Sequence, residues 1–89
     1  MKISNRNARN FVGERKQFKA NNMFAETYKG IYAVFSYGYH FPLFAYFDGT
    51  WYENGDKYSV TTSKHKSQAR PLEKTVVVNT RTLKEIIKL

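Results

Sequence analysis

Two dipeptides that favour tight turns, Asp48-Gly49 and Asn54-Gly55, lie close together in the most aromatic part of this chain. Both are typical of the two-residue type I′ turn, whose twist suits a β-hairpin. The runs beside the first turn, LFAYF and TWYE, are rich in aromatic residues, which favour strands. We therefore predict an antiparallel hairpin there, with the cross-strand pairs Phe47 with Thr50, Tyr46 with Trp51 and Ala45 with Tyr52.

The hairpin is predicted to belong to a longer meander. IYAVFSYG, residues 31–38, is a candidate strand bounded by glycines, and residues 23–29 form a shorter candidate. The second turn is predicted to lead into a strand with the sequence DKYSVT, so that the meander spans about residues 31–60. TVVVN, residues 75–79, is predicted to be a short buried strand.

A basic helix is predicted at the N-terminus, over about residues 4–20. Apolar side chains recur along it at helical spacing, and Ser4 is a candidate cap. The pair Asn21-Asn22 tolerates positive φ and is predicted to end the helix.

Two shorter helices are predicted further along the chain. Thr61 or Thr62 is the predicted cap of the first, and Pro71 is predicted to stop it. Thr82 and Glu85 fit a capping box at the start of the second.

Together these elements predict a single small α+β domain, an antiparallel β-meander of three to five strands packed with two or three helices. Eighty-nine residues leave room for one domain. The predicted bounds are about 4–20, 62–70 and 81–88 for the helices and about 23–60 and 75–79 for the sheet. The predicted core members are Phe35, Phe44, Tyr46, Trp51, Val77 and Ile87.

The formal net charge of +8 favours polyanionic partners, such as DNA, RNA or an acidic protein surface. Six of the 15 Lys and Arg residues lie within residues 1–19, where Glu14 is the one acid, and residues 30–56 hold none. Positive charge is therefore predicted at both ends of the chain, around a sheet in the middle.

Several classes of protein are excluded because the sequence lacks the features that they need. It has no cysteine, so neither a disulfide nor a thiolate metal site is available. No apolar run approaches the roughly 20 residues of a membrane span, and the N-terminus has no apolar segment of signal-peptide length. These features predict a soluble protein of the cytoplasm.

Catalysis is not predicted. The motifs HExxH, GxSxG, GxGxxG and the Walker loop are absent, and the few acids show no paired arrangement. His40 and His65 have no ligand spacing, so neither a metal nor a cofactor is predicted. We predict a binding protein and not an enzyme; the alternative is a catalytic group in which the fold joins His65 to Ser63 or Asp56.

The segment TTSKHKSQAR, residues 61–70, combines a predicted helix start with hydroxyl, Lys and Arg side chains. These side chains make the commonest protein contacts to phosphate. The predicted nucleic-acid contacts are Lys57, Thr62, Ser63, Lys64, Lys66 and Arg70, joined by Arg6, Arg9, Arg15 and Lys16 if the N-terminal helix packs alongside. The alternative is that the hydroxyls only cap the helix and the cations form a solvated face.

Large aromatic side chains fall on both faces of the predicted sheet. If helices cover one face, the other exposes rings that stack on bases or contact a protein. The candidates for such contacts are Tyr37, Tyr39, His40, Tyr52 and His65. The alternative is a sheet covered on both sides.

About residues 17–71, well over half of the chain, also resemble known protein sequences. The most specific parts of this resemblance are Ser36-Tyr37-Gly38, His40, Pro42, Trp51-Tyr52 and the hydroxyl-rich basic segment from Tyr58 to Arg70. In these parts the chain resembles a group of short, uncharacterised proteins encoded by bacteriophages and related mobile elements. The resemblance implies a bacterial cytoplasm during infection as the setting, and no activity or functional residue follows from it.

Two functions of different classes are therefore predicted. The first is binding of DNA or RNA through phosphate contacts from the basic helices. The alternative is inhibition of a host defence protein or ribonucleoprotein, of the anti-CRISPR or anti-restriction type, through an aromatic sheet face. A small homo-oligomer is compatible with either function, and no membrane partner is predicted.

Overall fold

The computed structural model describes residues 2–57 and 59–88. Within these ranges six strands form one sheet, in chain order: β1 (Phe18–Ala20), β2 (Met23–Tyr28), β3 (Ile31–Ser36), β4 (Pro42–Phe47), β5 (Thr50–Asn54) and β6 (Thr75–Val78). Strands β1 to β5 are antiparallel neighbours, and β6 joins β5 in parallel. The same ranges contain a 3-10 turn (Asn5–Asn7) and three α-helices, α1 (Ala8–Gly13), α2 (Val60–Ala69) and α3 (Thr80–Ile87). The predicted α+β domain is confirmed. None of the helices in the described ranges has the length and apolar character needed to cross a membrane.

The hairpin between β4 and β5 follows its prediction. Asp48 has φ 51° and Gly49 has φ 78°, so both central residues are left-handed, as a type I′ turn requires. The cross-strand pairs are those predicted: Phe47 with Thr50, Tyr46 with Trp51 and Ala45 with Tyr52.

The predicted N-terminal basic helix is wrong in its second half. Helix α1 ends early, and Arg15 then has φ 52°, which breaks the helical path. Phe18 and Ala20 are buried while the residue between them is exposed, which is the two-residue period of a strand. Asn22 has φ 58°, as predicted for the asparagine pair, but it turns the chain between β1 and β2 and does not end a helix.

The second predicted hairpin, at Asn54-Gly55, does not form. Strand β5 ends at Asn54, whose side chain is buried and does not lie in an exposed turn. Gly55 donates its N–H to the carbonyl of Val78 at 2.7 Å. The chain therefore continues alongside β6 at this point and does not turn back along β5. The predicted strand DKYSVT is wrong, because the chain passes there into α2, which begins at Val60. Tyr58 lies outside the described residues.

The two later helices have other caps than those predicted. Ser59 caps α2, because its Oγ accepts a hydrogen bond from the N–H of Thr62 at 3.0 Å. Asn79 caps α3, because its Oδ1 accepts from the N–H of Thr82 at 2.8 Å. The predicted caps, Thr61 or Thr62 and Thr82, are therefore wrong: each helix starts earlier than predicted, and its first turn already includes these residues.

Helices cover the sheet on both faces. Helices α1 and α2 pack over one face, against a core that includes Phe18, Met23, Val34, Phe44 and Trp51. Helix α3 packs over the other face, against a core that includes Ile31, Phe35, Leu83 and Ile87. The alternative in which both faces are covered is therefore the one that the structure adopts.

Most of the predicted core is buried. Phe35, Phe44, Trp51 and Ile87 are buried, and Tyr46 is partly buried against the first core. Val77 is the exception, with 64 % of its surface exposed, because β6 is an edge strand. TVVVN therefore contains the predicted strand, but this strand is not buried as predicted.

Candidate functional site

A buried carboxylate, Glu53 on β5, holds α2 to the sheet. Its side chain is 10 % exposed, and it accepts a bidentate pair of hydrogen bonds from the guanidinium of Arg70, each at 3.0 Å. Lys66 Nζ lies 2.7 Å from the second carboxylate oxygen, and the hydroxyl of Thr75 on β6 donates to the first. The hydrogen bonds from Arg70, together with those from Lys66 and Thr75, outweigh burial and lower the pKa of Glu53 from 4.5 to about 2.

This cluster changes the interpretation of two predicted phosphate contacts. Lys66 and Arg70 both bond Glu53, so one of their two positive charges is compensated within the fold. An ionised carboxylate that is buried needs cationic or hydrogen-bonding partners, which explains why these two cations turn towards Glu53. Lys66 and Arg70 therefore anchor α2 to β5, and their contact with phosphate stays a prediction.

A chain of hydroxyl groups joins α2 to the end of β3. Ser59 Oγ donates to Thr62 Oγ1 at 3.1 Å, and Thr62 Oγ1 lies 3.2 Å from Ser36 Oγ. Ser36 Oγ in turn lies 2.8 Å from Nδ1 of His65. Thr62 and His65 are each 3 % exposed, because both face the sheet, so neither lies at the surface where a ligand would contact it.

The hydrogen bonds in this chain favour a neutral imidazole. Because Ser59 donates to Thr62, the hydroxyl of Thr62 can donate to Ser36, and the hydroxyl of Ser36 to Nδ1 of His65. Burial also lowers the pKa of His65 below its usual 6.5.

The pair formed by Ser36 and His65 is a structural candidate for catalytic chemistry. Their separation is that of a nucleophile and its base. Ser36 is fully buried, however, so a substrate does not reach its oxygen, and we interpret the pair as structural. Within residues 2–57 and 59–88, no group of three or more His, Asp or Glu side chains is placed to hold a metal ion.

The free energy of unfolding is expected to fall as the pH is lowered from about 7 to about 5, because of His65. The unfolded chain binds a proton there near pH 6.5, whereas the folded chain resists it, so acid favours the unfolded state. Urea unfolding at a series of pH values measures this. His65→Asn keeps an acceptor for Ser36 and does not titrate, so it should flatten the dependence. A wild-type stability that is constant over this range contradicts the buried neutral imidazole.

Surface cations gather where α1 and α2 meet. Arg6, Arg9, Asn10 and Gln68 line an open cleft of about 440 Å³. Arg9 also ties the two helices together, because its Nη2 donates to the carbonyl of Ser67 at 3.0 Å. The cleft thus combines two guanidinium groups with two amides.

Lys64 extends this surface along α2. It is exposed and lies four residues before Gln68, on the same face of the helix. The amide oxygen of Gln68 is buried and has no hydrogen-bond partner among the described residues, although buried polar atoms nearly always have one. We call the surface formed by Arg6, Arg9, Asn10, Lys64 and Gln68 the basic strip.

The other predicted phosphate contacts lie apart from the strip or are engaged elsewhere. Arg15 lies over the ring of Tyr46, 4.5 Å from its centroid. Lys16 pairs with a neighbouring glutamate at 3.1 Å. Lys57 is exposed between β5 and α2, and Ser63 is exposed on α2. Of the predicted cations, Arg6 and Arg9 therefore share this cleft, and Lys64 lies one helical turn before Gln68, which also lines it.

The five rings predicted for stacking or protein contact do not form one platform. Tyr37 is 47 % exposed, and its ring centroid lies 5.5 Å from that of the buried His65. Tyr39 packs on the face that α3 covers, where its hydroxyl donates to a carboxylate of β2 at 2.7 Å. His40 is exposed between β3 and β4, and Tyr52 is partly buried against the core under α3.

Two residues of these clusters, Ser36 and Glu53, were not predicted from the sequence. For Glu53 a signal was present, because it lies two residues after Trp51 and the strand period puts both on the core face. A buried acid then demands cations. Ser36 had none, because its partner comes from a helix far along the chain.

Comparisons with known proteins give a family and no activity. A family described as a family of unknown function, DUF8033, matches residues 6–85. Searches of curated proteins and of solved structures returned no match. The family description names neither an activity nor a source, so the resemblance to phage proteins stays a prediction. Because the match spans nearly the whole chain, including the basic strip and the cluster around Glu53, the chain belongs to the family of unknown function DUF8033.

Proposed function

We propose that the chain binds nucleic acid, DNA or RNA, by phosphate contacts from the basic strip. The observation that carries this proposal is the cleft in which Arg6 and Arg9 meet the amides of Asn10 and Gln68. Guanidinium groups bind phosphate with two parallel hydrogen bonds, and amide side chains pair with base edges. The strip thus offers groups for both the backbone and the bases of a nucleic acid at one place.

The charge of the helices supports this choice of surface. Residues 5–13 and 60–69 contain four Lys or Arg residues and no acid. Since Lys66 is held by Glu53, the outward charge is concentrated on Arg6, Arg9 and Lys64. A surface with charge of a single sign attracts polyanions and steers their approach.

The amide oxygen of Gln68 adds a reason for a ligand at this cleft. A buried acceptor without a donor costs about 1–3 kcal/mol. If the Gln68 side chain turns towards the cleft, a base amino group or a ribose hydroxyl would supply the missing donor. Binding at the strip would then recover this free energy in addition to the phosphate contacts.

The variant Arg6→Ala/Arg9→Ala is expected to show a shallower salt dependence of nucleic-acid binding than wild type. Removing one cation that binds phosphate should reduce the slope of log affinity against log salt by about 0.7–0.9, because fewer counterions are released. Fluorescence anisotropy with labelled DNA and RNA oligonucleotides over a salt series measures this slope. Circular dichroism must first show that the variant is folded, since Arg9 also bonds Ser67.

A matched variant separates the strip from net charge. Arg81→Ala/Lys84→Ala also removes two charges, but from α3 on the opposite face of the sheet. Its slope should stay close to that of wild type. If it falls as much as that of the Arg6→Ala/Arg9→Ala variant, net charge alone drives binding and the strip is not the site. No binding of the wild type at low salt rejects the proposal.

The alternative is contact with a host defence protein through the opposite face. The observation that favours it is an apolar groove of about 250 Å³ between β2 and the end of α3, with Tyr28 and Tyr39 exposed on it. The affinity of such an interface falls much less than that of phosphate binding as salt rises. A protein captured from nuclease-treated lysate at high salt by wild type, and not by Tyr28→Ala/Tyr39→Ala, would favour this function over the first.

A further inference from the structure

The two edges of the sheet differ in what covers them. At β1 the N-terminal segment lies alongside, because Ile3 donates its N–H to the carbonyl of Lys19 at 2.7 Å and Lys2 bridges the same residue. Asn5 also holds the turn after β1 through two hydrogen bonds with Asn21. Within the described ranges, no segment pairs with the outer edge of β6.

The open edge is β-branched and uncharged, with the sequence TVVV. Val76 is 49 % exposed and Val77 is 64 % exposed, and their side chains lie on opposite faces of the sheet. Natural sheets usually protect such an edge with a charge, a proline or a bulge, because its unpaired backbone groups attract another strand. Residues 75–78 contain neither a charge nor a proline.

The backbone of β6 shows which groups are unpaired. The carbonyl of Val78 accepts from the N–H of Gly55, at the end of β5, and so points into the sheet. The N–H and C=O of one strand residue point to the same side, and this side alternates along the strand. Those of Val76 therefore also point into the sheet, whereas those of Thr75 and Val77 point outward.

We propose that β6 pairs with β6 of a second copy of this chain, antiparallel and about a two-fold axis at Val76. In this register Thr75 of each copy faces Val77 of the other, and the two pairs exchange four backbone hydrogen bonds. Val76 meets Val76 of the second copy in the non-hydrogen-bonded position, where Cα atoms are about 4.5 Å apart and side chains touch. The two sheets become one continuous sheet.

A second copy fits this edge because the edge is self-complementary. The outward groups belong to Thr75 and Val77, which are symmetric about Val76, so the same strand reversed satisfies all of them. Helix α2 is held over β5 and α3 packs over β4 and β5, which leaves the edge beyond them open. Lys74 would lie opposite Val78 of the second copy, so the register brings no like charges face to face.

Substitutions at Val76 test the register. Val76→Lys and Val76→Glu each place like charges opposite each other at the axis, so each should be monomeric at concentrations where wild type is dimeric by sedimentation equilibrium. An equimolar mixture of the two should form a heterodimer, because opposite charges then face each other. Val60→Lys changes another exposed valine, on α2, and should dimerise like wild type.

Amide hydrogen exchange gives a second measurement that needs no variant. The N–H groups of Thr75 and Val77 should exchange slowly in the dimer and fast on dilution, whereas those of Val76 and Val78 should stay protected by β5. A wild type that is monomeric at high micromolar concentration overturns the proposal. So does a Val76→Lys variant that dimerises as tightly as wild type, or a dimer in which Thr75 and Val77 exchange fast.

Discussion

Replacing Glu53 by Gln is expected to lower the free energy of unfolding by about 3 kcal/mol, the cost typical of breaking a buried ion pair. The carboxylate accepts hydrogen bonds from Arg70, Lys66 and Thr75, and so joins α2, β5 and β6. A glutamine offers one acceptor oxygen and no charge. The loss should lie at the low end for such clusters, since the head groups of Lys66 and Arg70 can reach water.

Urea unfolding of wild type and Glu53→Gln measures this loss, with Glu73→Gln as the matched control. The side chain of Glu73 is 60 % exposed, and its contact with Arg15 is 3.9 Å long. A glutamine keeps an oxygen that can accept from Nε1 of Trp51, as Glu73 does at 3.3 Å, so this change should have little effect. Equal effects of the two substitutions would mean that the cluster does not stabilise the fold.

The same cluster predicts how acid acts on the wild type. The pKa of Glu53 is about 2 in the folded chain and 4.5 ordinarily. The stability it contributes is therefore complete above pH 4.5 and is lost as the pH falls from 4.5 towards 2. Glu53→Gln should lack this component of the acid dependence.

Features of the fold that depend on neighbouring residues were predicted well. The hairpin between β4 and β5 follows from Asp48-Gly49 and the aromatic runs beside it, because turn type and register are decided within a few residues. Asn54-Gly55 has the same local signal and still forms no hairpin. There the long-range pairing of β5 with β6 overrides the local preference.

The basic residues of the candidate site show that local sequence was not sufficient there either. The sequence predicted an excess of positive charge on the segment that became α2, but it did not separate Lys64 from Lys66. Residues two apart on a helix point to nearly opposite sides. Which side faces the sheet depends on Glu53, a residue of a distant strand, so it followed from the fold and not from the charge pattern.

The proposed dimer through β6 would affect the proposed binding of nucleic acid by the basic strip. A two-fold axis through the paired β6 strands is perpendicular to the sheet, so the same face of both copies lies on one side. The basic strips of both copies then face the same way. A nucleic acid long enough to reach both would gain affinity from the second contact without any new type of interaction.

Asn54→Asp is expected to cost about 3 kcal/mol of stability, although it changes one nitrogen to oxygen. Asn54 is fully buried, and its Nδ2 donates to the carbonyl of Pro42 at 2.8 Å and to the hydroxyl of Thr80 at 3.0 Å. Its Oδ1 accepts from the N–H of Asp56 at 2.8 Å. An aspartate has no N–H to donate, so the carbonyl of Pro42 is left unsatisfied and faces a buried negative charge.

The control is the same chemical change at Asn79, whose oxygen accepts from the N–H of Thr82 and whose nitrogen donates to no other described residue. Aspartate caps a helix as well as asparagine does, so Asn79→Asp should be nearly neutral. Thermal and urea unfolding of both variants measures the contrast. Equal stability of the two variants would show that the side chain of Asn54 does not hold β4 and α3 together. A large loss at Asn54 alone would explain why an Asn-Gly pair ends β5 without turning it into a hairpin: the side chain that favours the turn is needed inside the fold.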